Sequence, residues 1–143
     1  MTTHANRLGW MLGDLSGMPG VRYAVLLATD GLALGYSEPV DRDTADAIAA
    51  SASGFHAIGV ALAPYTGGSA NGLRQVVGEF DEGLLFVKRV GHNALLAVSA
   101  TDTVDAEVLT YRMNGLTERL GTELSSPTRH EAGGPGGESS GRP

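Results

Sequence analysis

Histidines and carboxylates are the side chains of this sequence that could do chemistry, and their spacing speaks against it. His4, His56, His92 and His130 show none of the paired spacing through which imidazoles hold a metal. Cysteine is absent, which excludes thiolate nucleophiles, thiolate metal sites and disulfides. No G-x-S-x-G elbow presents a nucleophilic serine. The glycine-rich stretch "YTGGSANG" (65–72) lacks the Lys-Ser/Thr ending of a phosphate-binding loop and reads as a flexible connection. Asp14, Asp30, Asp41 and Asp43 read as helix-surface, turn and cap residues. His56 reads as a hydrogen-bonded interface residue within an uncharged helix, and Arg42 as a solvated residue at that helix's start. No convergent set of groups remains. The expectation is a non-enzyme with no catalytic residue, metal or cofactor.

The chain has 143 residues, of which 42% are hydrophobic, enough for one domain with its own core. A net charge of −6 speaks against binding a phosphate backbone, so no nucleic-acid partner is expected. The opening "MTTHANRLGWMLGDL" lacks the basic region, apolar stretch and small-residue cleavage site of a signal peptide. A cytoplasmic location is the expectation.

Residues 3–17 read as an amphipathic helix, with Leu8, Leu12 and Leu15 at helical spacing, Thr3 as a cap and "GMPG" as the stop. "YAVLLATDGLALGYSE" (23–38) reads as a hairpin whose Asp30-Gly31 pair forms a type I′ turn. Its strands, about 21–29 and 32–37, are apolar on both sides and so need cover on both faces. A second helix spans about 42–64, capped by Asp41 or Asp43. No Asp, Glu, Lys or Arg occurs from Ala47 to Leu73. Ile48, Ala52, Phe55, Gly59 and Leu62 form one stripe of that helix. Ala47, Ser51, Gly54, Ile58, Ala61 and Tyr65 form another. A helix without a charged face is expected to be buried on most sides. Its small and polar residues make it a poor membrane span, so the second surface it needs is expected on another copy of the chain.

Strands at 73–80, 83–90 and 94–100 follow as a meander, the first half polar like an edge strand. A last helix, about 104–124 with Asp102 or Thr103 as cap, carries Leu109, Met113, Leu116, Leu120 and Leu124 on one face. Of the 19 residues in 125–143, 12 are Gly, Ser or Pro, a composition expected to stay disordered. The chain therefore divides into a domain at 1–124 and a tail at 125–143. The order α-β-β-α-β-β-β-α, with both faces of the central strands in need of cover, predicts an α+β, three-layer α/β/α sandwich around a five-stranded antiparallel sheet.

This order of elements, the "LLATDGLALG" hairpin, the small-residue middle helix and the closing "LLAVSATDTVDAEVLTYRMNGL" resemble the roadblock family (dynein light chain roadblock type) over about residues 3–122. The compact form is similar to bacterial members that partner small Ras-like GTPases; profilin-like and longin-like domains share parts of the layout. The resemblance implies a dimer in which middle helices pack together and third strands pair edge to edge. On this sequence that interface maps to Ser51, Gly54, Phe55, Ile58, Leu62, Arg74, Val76 and Gly78. It also implies a homodimeric regulator or scaffold that binds a Ras-like GTPase and stimulates GTP hydrolysis by shaping its switch loops, with Arg42 and His56 as exposed partner-binding positions. A small-molecule sensor, a structural adaptor in a motor or kinase complex, and a heterodimer with a paralogue are the alternatives.

Overall fold

The structure, a computed structural model, describes residue 6 and residues 8–69 and 72–125. His4, His130, the Thr3 cap and nearly all of the tail at 125–143 lie outside the described residues. The elements run α1 (Gly9–Ser16), β1 (Val21–Ala28), β2 (Ala33–Tyr36), α2 (Arg42–Leu62), a 3₁₀ turn (Ala63–Thr66), β3 (Gln75–Phe80), β4 (Gly83–Val90), β5 (Ala94–Thr101) and α3 (Ala106–Ser125). The five strands form one sheet in the order β2-β1-β5-β4-β3, and every pairing is antiparallel. Helices cover both faces, as the apolar strands require.

Strand periodicity divides the core in two. Ala24 and Leu26 of β1, with Leu96, Val98 and Ala100 of β5, face α1 and α3, which contribute Leu12, Leu15, Leu109, Met113, Leu116 and Leu120. Val25 and Leu27, with Leu95, Ala97 and Val87, face α2. The four residues at 24–27 therefore have no solvent exposure at all. The α2 layer is thin by contrast: its buried residues are Ala45, Ala49 and Ala52. Small side chains let the helix axis sit close to the strands. Gly59 continues this approach, because a Cβ there would stand 2.6 Å from Val76 Cγ1 and 3.0 Å from Leu73 Cδ2.

Several boundaries differ from the sequence reading for local reasons. The hairpin loop is one residue longer than a type I′ turn. Ala28 N–H donates to Leu32 O and Gly31 N–H to Ala28 O, so residues 29–31 form the loop. Gly31 closes it at φ +99°, while Asp30 Oδ1 accepts from Leu32 N–H. α1 starts at Gly9. α2 is capped by Asp41 Oδ1, which accepts from Thr44 N–H at 2.8 Å. α3 is capped by neither Asp102 nor Thr103; Asp105 Oδ1 accepts from Val108 N–H, one turn further on. β3 begins at Gln75 and not at Leu73, which places Arg74 just ahead of the strand.

Glycine at a seat and glycine in the open should respond oppositely to substitution. Gly59→Leu should lower stability by about 1–3 kcal/mol through overpacking against Val76 and Leu73. Gly115→Ala in α3, where an added Cβ meets nothing within 4 Å, should raise it by about 0.5–1 kcal/mol through helix propensity. Urea unfolding of the two variants checks both signs.

Candidate interaction surface

Two features of the α2 side converge on one edge of the molecule: a helix face without charge and a sheet edge that meets no further strand among the described residues. The stripe Ala47, Ser51, Gly54, Ile58, Ala61 and Tyr65 is exposed along its whole length. Ile58 is 63% exposed and Leu62 beside it 55%. The expectation that α2 is buried on most sides fails within one chain, because a single sheet can seat only one stripe of a helix. That seat is Ala45, Ala49 and Ala52, with Ile48 and Phe55 as half-buried flanks. The segment Arg42–Thr66 is long and apolar enough to cross a membrane by length and composition; here its alanine stripe lies on the strands.

The two sheet edges are treated differently. β2 is short, and Asn6 Oδ1 accepts from Tyr36 N–H at 2.6 Å, which occupies an outward donor of that edge. The opposite edge, β3, is longer and among the described residues has no neighbouring strand beyond β4. Val77 is 45% and Phe80 62% exposed. An edge strand with exposed apolar side chains and open N–H and C=O groups is a template for strand addition.

The residues assigned to an interface divide into two groups. Ser51, Gly54, Ile58, Leu62 and Arg74 are exposed and available to a partner. Phe55 and Val76 are half-buried and help pack α2 on the sheet within one chain. Gly78 lies beneath the Phe80 and Phe55 rings, at 3.1 and 3.6 Å from its Cβ position. Val77 and Phe80 were not singled out. Period-two alternation along 75–80 would have exposed Val77 once that strand was known to be an edge.

Arg42 and His56 are not brought together, being about 21 Å apart along the helix at 1.5 Å per residue. Arg42 is exposed. His56 does not occupy the exposed face: it is half-buried, and its Nε2 is buried without a hydrogen-bond partner. Desolvation, followed by the nearby positive charge of Arg89, holds its pKa below the ordinary 6.5. Within one chain, the hydrogen bond expected of it is not made through Nε2. Among the described residues no cluster of His, Asp or Glu could hold a metal. Open grooves of about 740 and 780 Å³ lie against α3, one beside Asp14 and Leu15 and the other beside Gly91 and His92.

Comparison with known proteins places the fold in a family. Residues 9–100 match the family model described as Roadblock/LC7 domain. A Roadblock/LC7 domain from Streptomyces avermitilis is 37% identical, with 82% of this chain and 98% of that one covered at a TM-score of 0.75. Myxococcus xanthus MglB shares the fold at 15% identity and TM-score 0.74, over 84% of this chain and 96% of that one. The gliding protein MglB from Thermus thermophilus does so at 22% identity and TM-score 0.70, over 85% and 90%. No curated protein sequence matches the chain.

The lowered His56 pKa sets a sign. The native state favours the neutral imidazole, so the unfolded chain takes up the proton first. Stability present above pH 6.5 is lost as pH falls through that value toward the lower native pKa. Denaturant midpoints measured from about pH 7.5 to about pH 5 should fall less steeply in His56→Gln than in the parent chain.

Proposed function

The chain belongs to the Roadblock/LC7 domain family, and from that membership we propose that it is a homodimeric, non-enzymatic regulator or scaffold that binds a small Ras-like GTPase. The observation that carries the dimer is the uncharged, exposed face of α2, where Ile58 and Leu62 flank the open surface at Gly54. Covering those side chains removes apolar area from water at roughly 25 cal/mol per Å². A glycine on the stripe lets a second helix come close. The neighbouring free edge of β3 extends the same surface into backbone hydrogen bonding.

The likeness to bacterial roadblock proteins is what supports the GTPase partner. A dimer surface built from two α2 helices presents residues of both chains to one partner. Regulation demands that this surface distinguish the two switch conformations, since a ligand with equal affinity for both shifts nothing. Stimulated hydrolysis would then come from holding the switch loops rather than from an inserted arginine. A location in the cytoplasm, where such GTPases reside, belongs to the same proposal.

Gly54→Arg separates association from folding. Its Cβ meets nothing within 4 Å, so the single chain should remain folded with an unchanged circular dichroism spectrum. Light scattering should show the dimer broken, because the second helix would meet an unpaired charge at a cost of several kcal/mol. An intact dimer at low micromolar concentration would remove α2 from the interface. The GTPase proposal is tested by calorimetry with Ras-like GTPases of the same genome, loaded with GDP or a GTP analogue. State-selective binding is expected. Equal affinity for both states would leave a passive scaffold, and no binding would leave the adaptor or sensor readings.

A further inference from the structure

The single tryptophan of the chain, Trp10, is 75% exposed. α1 seats itself through Met11, Leu12 and Leu15, so core packing does not account for the indole. Trp10 borders a depression of about 300 Å³ between α1 and the β2 edge, which Gly9, Gly13, Ser16, Tyr36 and Glu38 also line. Much of its floor is backbone. A Cβ at Gly9 would stand 2.7 Å from Tyr36 O, and one at Gly13 meets nothing within 4 Å. Asn6 Oδ1 accepts from Tyr36 N–H, an outward donor of that edge. The N–H and C=O of one residue in an antiparallel strand turn the same way, so Tyr36 O turns outward as well.

We infer that this depression docks an arginine-bearing segment of a partner protein, with the guanidinium over the Trp10 indole and against the Glu38 carboxylate. Charge complementarity selects the occupant. Glu38 is exposed and among the described residues has no ion-pair partner. Asp41 and Asp43 follow it, also exposed, with Arg42 between them, so this rim carries an excess of negative charge. Asp14, one turn along α1 from Trp10, is offset by Arg119 at 3.9 Å. The chain as a whole stands at −6. An indole face attracts a cation through its ring quadrupole, more strongly than the other aromatic rings do. Arginine suits the site better than lysine. Its planar guanidinium stacks on a ring while its edge donates a fork of N–H groups to a carboxylate, which leaves a further N–H for an outward carbonyl such as Tyr36 O.

The site is separate from the surface proposed above. In the order β2-β1-β5-β4-β3, the β2 edge lies across the whole sheet from β3. α1 packs on the face opposite α2. A pair of chains joined through α2 and β3 therefore leaves the depression clear on each copy, giving a scaffold a second kind of contact at its outer ends. The inference depends on Trp10 and Glu38 and holds equally for a single chain.

Because Trp10 is the only tryptophan, its fluorescence reads the site in the full chain. The probe is the peptide acetyl-Gly-Leu-Arg-Leu-Gly-amide, with versions in which lysine or citrulline replaces the arginine. The arginine peptide should change the emission saturably. It should bind about tenfold more tightly than the citrulline peptide, which keeps the shape and lacks the charge, with lysine between them. Glu38→Gln should weaken the arginine peptide about fivefold. Glu82→Gln, the same change of charge in the turn beside β3, should leave it unchanged. Trp10→Ala should abolish the binding, followed by the amide NMR shift of Gly13, and leave the urea midpoint where it was. No saturable change, equal binding of the citrulline peptide, or equal weakening by Glu38→Gln and Glu82→Gln overturns the inference. A lysine peptide that binds more tightly than the arginine peptide overturns it too. So does a Trp10→Ala chain that unfolds well before the parent, because the indole would then belong to the packing.

Discussion

An antiparallel sheet that does not close on itself has two edges, and the backbone groups along each must find partners or water. In this chain the two edges are managed unequally. The β2 edge is short and partly occupied by the Asn6 side chain, which accepts from Tyr36 N–H. The β3 edge has no further strand among the described residues. This asymmetry gives the molecule a direction: one side is finished within the chain, and the other is the side to which the proposed partner is assigned. The proposed assembly follows from that constraint more than from any single side chain.

The middle helix is shaped by the same demand. Ala45, Ala49, Ala52 and Gly59 bring α2 so close to the strands that it contributes little apolar bulk to its own core. Most of the bulk lies on the other face of the sheet, in the leucines and methionines of α1 and α3. The sheet is therefore anchored by one layer and presents the other. His56, with Nε2 buried and Arg89 nearby, introduces a polar weakness beneath that presented helix. Its lowered pKa is the basis of the acid dependence expected of the fold.

Much of this was legible in the sequence because it follows from period. The unbroken apolar runs in β1 and β5 required helices on both faces, and the helical leucine spacing identified α3. The uncharged run from Ala47 to Leu73 announced an unusual helix, and one of its two stripes, Ser51 to Tyr65, is the exposed one. The stripe Ile48, Ala52, Phe55 and Gly59 does meet the sheet side, but Leu62, grouped with it, is exposed, and the most deeply seated residues, Ala45 and Ala49, were not singled out. Helical periodicity ranks hydrophobic faces, but the closest contact here selects for smallness. The position of His56 was missed for the same reason, since it falls among the small residues turned toward the strands. The α3 cap was displaced because Asp102, Thr103 and Asp105 are all good caps, and only the end of β5 decides which one meets the helix. The openness of β3 is a property of topology and leaves no local mark beyond its mixed polarity.

The central claim is that β3 and the exposed stripe of α2 are a self-complementary surface. Amide hydrogen exchange, followed residue by residue as protein concentration is raised, tests it most directly. The account predicts that the outward amides of Gln75, Val77 and Glu79 exchange readily in dilute solution and become protected together as the dimer forms. The inward amide of Val76, bonded to β4, should be protected throughout. A dimer by mass in which Val77 still exchanges as fast as a solvent-exposed amide would contradict it.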